Sequence, residues 1–219
     1  YLNIWDDFPA PMYNRPYYEA CDMLMGISKQ TKLINEIVLE EKAKDRILKY
    51  VPHGLNEKMY FPIKKEDKDY SELQKMKKAI FKDVEPEFVL FFNSRNIRRK
   101  QIQDSMLAFR VFLDSLPMEE ALKCYFVLHT EVVSNNGTDL EKVREYLLEE
   151  KYPNQVIFSQ SKLPLQQLNL LYNLADAQIL LTSNEGWGLT ITEAMLTGTP
   201  FIANTTGGMQ DQMRFEDNE

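Results

Sequence analysis

From Glu87 onward, short apolar runs alternate with amphipathic stretches of helical length, the pattern of a parallel sheet joined by crossover helices. The runs are "FVLFFNS" (88–94), "CYFVLHT" (124–130), "QVIFS" (155–159), "AQILLTS" (177–183) and "PFIAN" (200–204). All are rich in Val, Ile, Leu and Phe, as strands buried on both faces should be. Helices are expected near 101–116, 139–150, 164–174 and 189–197. Right-handed crossovers would wind these elements into an α/β fold: a Rossmann-like parallel sheet with helices on both faces, binding its ligands at the carboxyl ends of the strands.

Upstream, "CDMLMGIS" (21–28) reads as a strand, "KQTKLINEIVLEEKAKD" (29–45) as a helix and "RILKYVP" (46–52) as another strand. The next stretch, "HGLNEKMYFPIKKEDKDYSEL" (53–73), has Gly54, Pro62 and a charge run without periodicity, which is how a linker between two sheets looks. The expected organisation is 1–51 as the end of one Rossmann-like domain, 52–70 as a linker and 71–219 as a ligand-binding domain. The start at Tyr1 and the close on "RFEDNE" are those expected of a fragment.

Composition narrows the class. Hydrophobic residues at 44% and charged residues at 27% of 219 predict a packed globular fold. A net charge of -7 and a pI near 5.1 argue against nucleic acid or an anionic membrane as the partner of the whole surface. No apolar run approaches the roughly 18 residues of a membrane span, and the N-terminus lacks a signal-peptide pattern. Cys21 and Cys124 are far apart, with no CxxC and no His cluster, so neither a disulfide framework nor a zinc site is expected. The expected setting is cytoplasmic.

The chemistry concentrates in "SNEGWGLTITEAMLTGTPFIAN" (183–204), where Glu185 and Glu193 lie eight positions apart around Gly186-Trp187-Gly188. The glycines let backbone approach a ligand, and the free amides at the start of a helix near Leu189 favour an anion such as a diphosphate. Carboxylates beside an anion would repel it unless they bind hydroxyls, so a ligand with both phosphates and sugar hydroxyls fits: a nucleotide sugar. From spacing alone, Glu193 reads equally as a solvated helix residue and the glycines as a tightened turn. A second signal is "SRNIRRKQI" (94–102), where Arg95 and Lys100 span a strand-end loop and the start of a helix. Such a pair can neutralise a diphosphate without a metal, Arg bidentately. Arg98 and Arg99 read as a solvated basic loop.

These residues resemble the retaining glycosyltransferases of glycosyltransferase family 4, which have the GT-B fold. "VPHGLNEKMYFPI" (51–63) resembles the interdomain segment of that family and "SRNIRRK" its Arg-x4-Lys element. "LPLQQLNLLYNLADAQILLTSNEGWGLTITEAMLTGTP" (163–200) resembles its most recognisable block, and "NTTGGMQD" (204–211) the Gly-Gly turn that follows. The resemblance implies that 71–219 is the C-terminal nucleotide-sugar domain, truncated at its end, and that 1–51 is the remnant of the acceptor domain. It assigns Glu185 to the donor-sugar hydroxyls, the amides of Gly186, Trp187, Gly188, Leu189 and Thr190 to sugar and diphosphate, and Glu193 to the ribose. Arg95 and Lys100 would stabilise the departing nucleoside diphosphate, and the loop Ser159 to Leu163, with Ser161 and Lys162, would meet the base. His53, in place of the usual Asn, and His129-Thr130, in place of a Gly-rich turn, depart from the family pattern.

Other signals read blandly. Asp67-Lys68-Asp69 has the form of a metal-holding motif but sits in a charged linker, and Asp6-Asp7 reads as an exposed acidic pair. "NGT" at Asn136 and "NTT" at Asn204 match glycosylation sequons but read as a turn and a strand end. Trp187 reads as an anchor for its turn, with sugar stacking as the other role.

The expected function is therefore transfer of a sugar from a nucleoside-diphosphate sugar to an acceptor hydroxyl of a glycan, lipid or protein, with retention and without metal or cofactor. The alternative is a nucleotide-sugar binding module, or fragment, without transferase activity. A GT-B-like phosphorylase would need a lysine holding a pyridoxal cofactor, for which the sequence has no motif.

Overall fold

The computed structural model describes residues 11–82 and 84–214; Asp6 and Asp7 lie outside them. The chain forms two compact units. The first comprises 11–54, Ser183–Leu189 and 205–214, and the second comprises Leu55–Thr182 and Thr190–Asn204.

After a 3-10 turn at Pro11–Asn14, the first unit has a short helix, α1 (Arg15–Glu19), then β1 (Met23–Gly26), α2 (Lys29–Leu39) and β2 (Ile47–Tyr50). The two strands are parallel, Met23 facing Ile47 and Gly26 facing Tyr50, with α2 as the crossover. Ser28 starts α2 because its Oγ accepts a hydrogen bond from the Thr31 amide at 3.0 Å, filling one of the orphan donors of the first turn. Tyr18, Leu24, Val38 and Leu39 form the core of this unit. The helix expected through Asp45 stops at Leu39: Glu40 takes a positive φ of 51° and a 3-10 turn follows over Glu40–Asp45. That turn has no buried residue, so no packing sustains α geometry beyond Leu39.

The second unit begins, after an irregular segment, with α3 (Tyr70–Phe81). This helix starts inside the stretch read as a charged linker; its Leu73, Met76, Ile80 and Phe81 make an apolar face among charged neighbours. Then follow β3 (Phe88–Asn93), α4 (Ile102–Asp114), α5 (Met118–Ala121), β4 (Cys124–His129), α6 (Leu140–Leu148) and β5 (Val156–Ser159). The remaining elements are α7 (Leu165–Leu174), β6 (Ala177–Leu180), α8 (Leu189–Thr197), which enters this unit at Thr190, and β7 (Phe201–Ala203). The five strands are all parallel, as the apolar runs predict, and the structure sets them in the order β5-β4-β3-β6-β7.

Alternation along β3 and β4 feeds two cores. Val89, Phe91, Tyr125 and Val127 join Tyr60, Phe81, Leu171, Tyr172 and Ala194 on one face. On the other, the Phe126 and Phe109 rings stand 5.3 Å apart and those of Phe88 and Phe112 5.4 Å apart, packing α4 onto the sheet. Tyr60, in the irregular segment, is only 4% exposed. Asn169 and Asn173 of α7 hold that segment in place by accepting hydrogen bonds from the amides of Phe61 at 3.1 Å and Ile63 at 2.7 Å.

Back in the first unit, residues 205–214 include the single turn α9 (Met209–Gln212), whose Asp211 accepts a 2.7 Å hydrogen bond from the Lys29 amide at the start of α2. Among the described residues no helix is long and apolar enough to cross a membrane.

Phe126 is fully buried at the centre of β4. Phe126→Ala should cost about 3–5 kcal/mol of folding stability, read as a shift of the urea midpoint at unchanged slope.

Candidate functional site

Strand order locates the place where a ligand would bind. From β3 the chain winds outward to β4 and β5, then crosses back to lay β6 on the other side of β3. The order reverses between β3 and β6, and the crevice beyond the carboxyl ends of strands at such a switch point is the usual ligand site of an open α/β sheet. Polar residues gather there: Asn93, His129 and Ser159 end β3, β4 and β5 and face one another in register.

The segment after β3 carries Arg95 and Lys100. Asn96 fixes its path. The Asn96 side chain, 2% exposed, donates to the carbonyls of Glu131 at 3.0 Å and Thr138 at 2.6 Å and accepts from the Thr138 amide at 3.1 Å, tying this loop to the one after β4. Gly137 is required beside it, because a Cβ there would lie 2.1 Å from the Asn96 Oδ1. The "NGT" sequon is thus a packed turn. Arg95 is exposed, whereas Lys100 is buried, with 7% exposure, at the end of a 3-10 turn. Arg99, read as solvated, is half-buried and its Nη1 donates to Thr182 Oγ1, just past β6, at 3.4 Å.

Glu193 sits in the second turn of α8. Its Oε1 accepts from the Tyr60 hydroxyl at 3.0 Å, and its Oε2 accepts from the Tyr172 hydroxyl at 2.5 Å and from Asn93 Nδ2 at 3.3 Å. Asn93 Nδ2 also reaches the Tyr172 oxygen, at 3.0 Å. Burial pushes the Glu193 carboxyl above its ordinary value of 4.5, opposed by the hydrogen bonds from Tyr172, Tyr60 and Asn93. Burial first, and then the Glu193 charge, raise both tyrosines. Glu193 is therefore neither a free surface carboxylate nor an unsupported one.

In the first unit the loop Ser183–Leu189 is held by the Gly-Gly turn. The Gly208 amide donates to the Glu185 carbonyl at 2.9 Å. A Cβ at Gly207, whose φ is +52°, would lie 1.9 Å from that carbonyl oxygen, and one at Gly208 would lie 2.3 Å from the Gly186 oxygen. Gln212 of α9 donates to the carbonyls of Trp187 and Gly188, the latter at 3.1 Å. Glu185, Gly186 and Gly188 are buried, Trp187 half-buried and Leu189 exposed. Position 188 suits glycine on two counts: its φ is +87°, and a Cβ there would lie 3.0 Å from the Met209 side chain.

The second unit places Arg95, Lys100, Thr190 and Glu193, together with Ser161 and Lys162, which are exposed in the loop after β5. At the root of that loop His129 Nδ1 and Ser159 Oγ are 3.0 Å apart, and burial lowers the His129 pKa. Pattern reading missed Asn93, Tyr60, Tyr172 and Asn96. A polar residue closing the apolar run "FVLFFN" and a Tyr-Phe pair inside a charged segment were the available signals. Asp67, of the Asp-Lys-Asp pattern, closes a local turn by accepting from the Lys64 amide at 2.7 Å, and Asn204 pairs its side chain with the Thr182 backbone. A cavity of about 560 Å³ between α3 and α7, lined by Met59, Phe61, Met76 and Leu170, contains none of the expected site residues.

Two measurements test this geometry. Gly207→Ala should destabilise the protein by at least about 1–2 kcal/mol through positive-φ strain alone, whereas Gly54→Ala, with open space around its Cβ, should stay within about 0.5 kcal/mol of wild type in thermal unfolding. Because the Glu193 pKa is raised in the fold, its contribution to stability is complete below pH 4.5 and is lost as pH rises through the raised value. Glu193→Gln removes that slope, so the melting temperature of the variant relative to wild type should climb over this interval and then level off.

The pattern of the family Glycosyl transferases group 1 matches residues 73–218. D-inositol 3-phosphate glycosyltransferase of Corynebacterium urealyticum is 34% identical over 77 residues, 35% of this chain and 18% of that protein. Among solved structures, Anabaena Alr3699/HepE in complex with UDP-glucose is similar with a TM-score of 0.67 and 16% identity, over 94% of this chain and 53% of that one. Sucrose-phosphate synthase from Thermosynechococcus elongatus is similar with a TM-score of 0.64 and 22% identity, over 92% and 45%. The chain spans about half the length of these two structures. The likenesses establish the fold as the α/β, GT-B type with parallel sheets.

Proposed function

The chain belongs to the group 1 glycosyl transferases, and from that premise we propose that it carries the donor-binding half of a retaining, metal-independent enzyme of glycosyltransferase family 4. The enzyme moves a sugar from a nucleoside-diphosphate sugar to an acceptor hydroxyl. The observation that carries this reading is the basic segment from Arg95 to Lys100, which leaves β3 at the switch point of the sheet and is pinned by the buried Asn96.

In this reading the bond between the anomeric carbon and the diphosphate oxygen breaks, and the diphosphate keeps the electron pair. Arg95 and Lys100 stabilise the charge that develops on it, together with the amides of Gly186 to Thr190 at the start of α8, in place of a metal ion. Glu185 holds hydroxyls of the transferred sugar, and Glu193 holds the ribose. Ser161 and Lys162 border the base. The acceptor hydroxyl bonds to the anomeric carbon on the face the diphosphate leaves and gives its proton to the departing diphosphate oxygen. Binding of UDP-glucose by the similar Anabaena protein supports a nucleotide sugar as the donor.

Arg95→Ala and Lys100→Ala should each lower kcat of the intact enzyme by about 10²–10³, with a smaller change in KM, because the charge they meet is largest in the transition state. EDTA should leave turnover unchanged. Turnover abolished by EDTA and restored by Mg²⁺ or Mn²⁺ would overturn the metal-independent mechanism.

A further inference from the structure

The hydrogen bonds of Glu193 limit how it can bind a ribose. An ionised carboxylate offers about four acceptor positions, two on each oxygen. On Glu193 Oε2 both are filled, by the Tyr172 hydroxyl at 2.5 Å and by Asn93 Nδ2 at 3.3 Å. Of these two donors Tyr172 is fully buried and Asn93 half-buried. On Oε1 one position is filled by the Tyr60 hydroxyl at 3.0 Å, and Tyr60 is itself 4% exposed. One acceptor position remains, on Oε1. Glu193 as a residue is partly exposed, and its one unfilled acceptor position is the one left for a ligand.

An unobstructed carboxylate can accept both hydroxyls of a ribose diol. This one cannot do so while Tyr60 holds its place. Resting on the reading of Glu193 as the ribose contact, we propose that it accepts only one of the two ribose hydroxyls, through Oε1, and that Tyr60 is the specificity-determining residue that excludes the second. Tyr60 belongs to the irregular segment whose Phe61 and Ile63 amides are anchored on Asn169 and Asn173. Its hydroxyl is therefore positioned by backbone contacts independent of any ligand. Tyr172 and Asn93 are positioning residues: they orient the carboxylate and leave Oε1 as the face that meets the ligand.

The test is calorimetric binding of UDP, GDP and ADP to the purified protein, followed by the 2′-deoxy and 3′-deoxy forms of whichever binds. The proposal expects one deoxy analogue to bind about 10- to 100-fold more weakly than the parent, the effect of losing a hydrogen bond to a charged acceptor. The other should stay within about two-fold. In Tyr60→Phe the second position on Oε1 is free, so both analogues should then bind more weakly than the parent. Equal losses for the two analogues with wild type, or no loss for either, would overturn the single-hydroxyl contact while leaving the nucleotide site in place. Glu193→Ala is the control on the underlying reading: if it binds the parent nucleotide as tightly as wild type, or if wild type binds none of the three, the ribose role falls and this inference falls with it. Should Tyr60→Phe fail to fold, the asymmetry between the two analogues with wild type still decides the question.

Discussion

A sheet covered by helices on both faces has little room for polar chemistry inside, and this constraint organises the molecule. The interiors of β3 and β4 are apolar from Phe88 to Phe92 and from Cys124 to Leu128, so their side chains form two cores and leave polar residues to the strand ends. Asn93, His129 and Ser159 close three adjacent strands in register. Gln178 on β6 departs from this rule: it is fully buried, and its amide finds no partner among the described residues. Everything assigned a chemical role in the second unit lies at or beyond the polar edge.

Around that edge the protein relies on side chains that satisfy backbone groups. Asn96 clasps the loops after β3 and β4, Asn204 pairs with the backbone of Thr182, and Asn169 and Asn173 seat the segment that carries Tyr60. Loops outside a sheet have no ladder to fill their hydrogen bonds, so amide side chains, which both donate and accept, take that part. The first unit solves the same problem with glycine. Gly207 and Gly208 bring one backbone against another at Glu185 and Gly186, closer than any side chain would permit. Loops tied down in this way suit a site that must present charges in fixed directions.

Glu193 joins the two themes. It is a carboxylate drawn toward the core by its helix, made tolerable there by two tyrosines and an asparagine, and still partly exposed as a residue. The hydrogen bonds offset burial without cancelling it, since its pKa remains raised. The carboxylate is therefore held in a single orientation, and its remaining acceptor capacity is set by the fold.

The sequence by itself determined the five parallel strands, their crossover helices and the concentration of charge and glycine at strand ends, because hydrophobic period and turn chemistry are local properties. It also carried the family signature, in the blocks around Glu185 and Gly207. Only the tertiary structure decided what depends on residues distant along the chain. Tyr60 and Glu193 are separated by 133 positions and Asn93 and Glu193 by 100, and no local pattern could mark them as partners. The same holds for α3, whose apolar face is diluted by charged neighbours, and for the packing of 183–189 and 205–214 within one unit with β1, α2 and β2. A sequence states which side chains are available. Which oxygen of a carboxylate is already occupied follows from where the chain brings its donors.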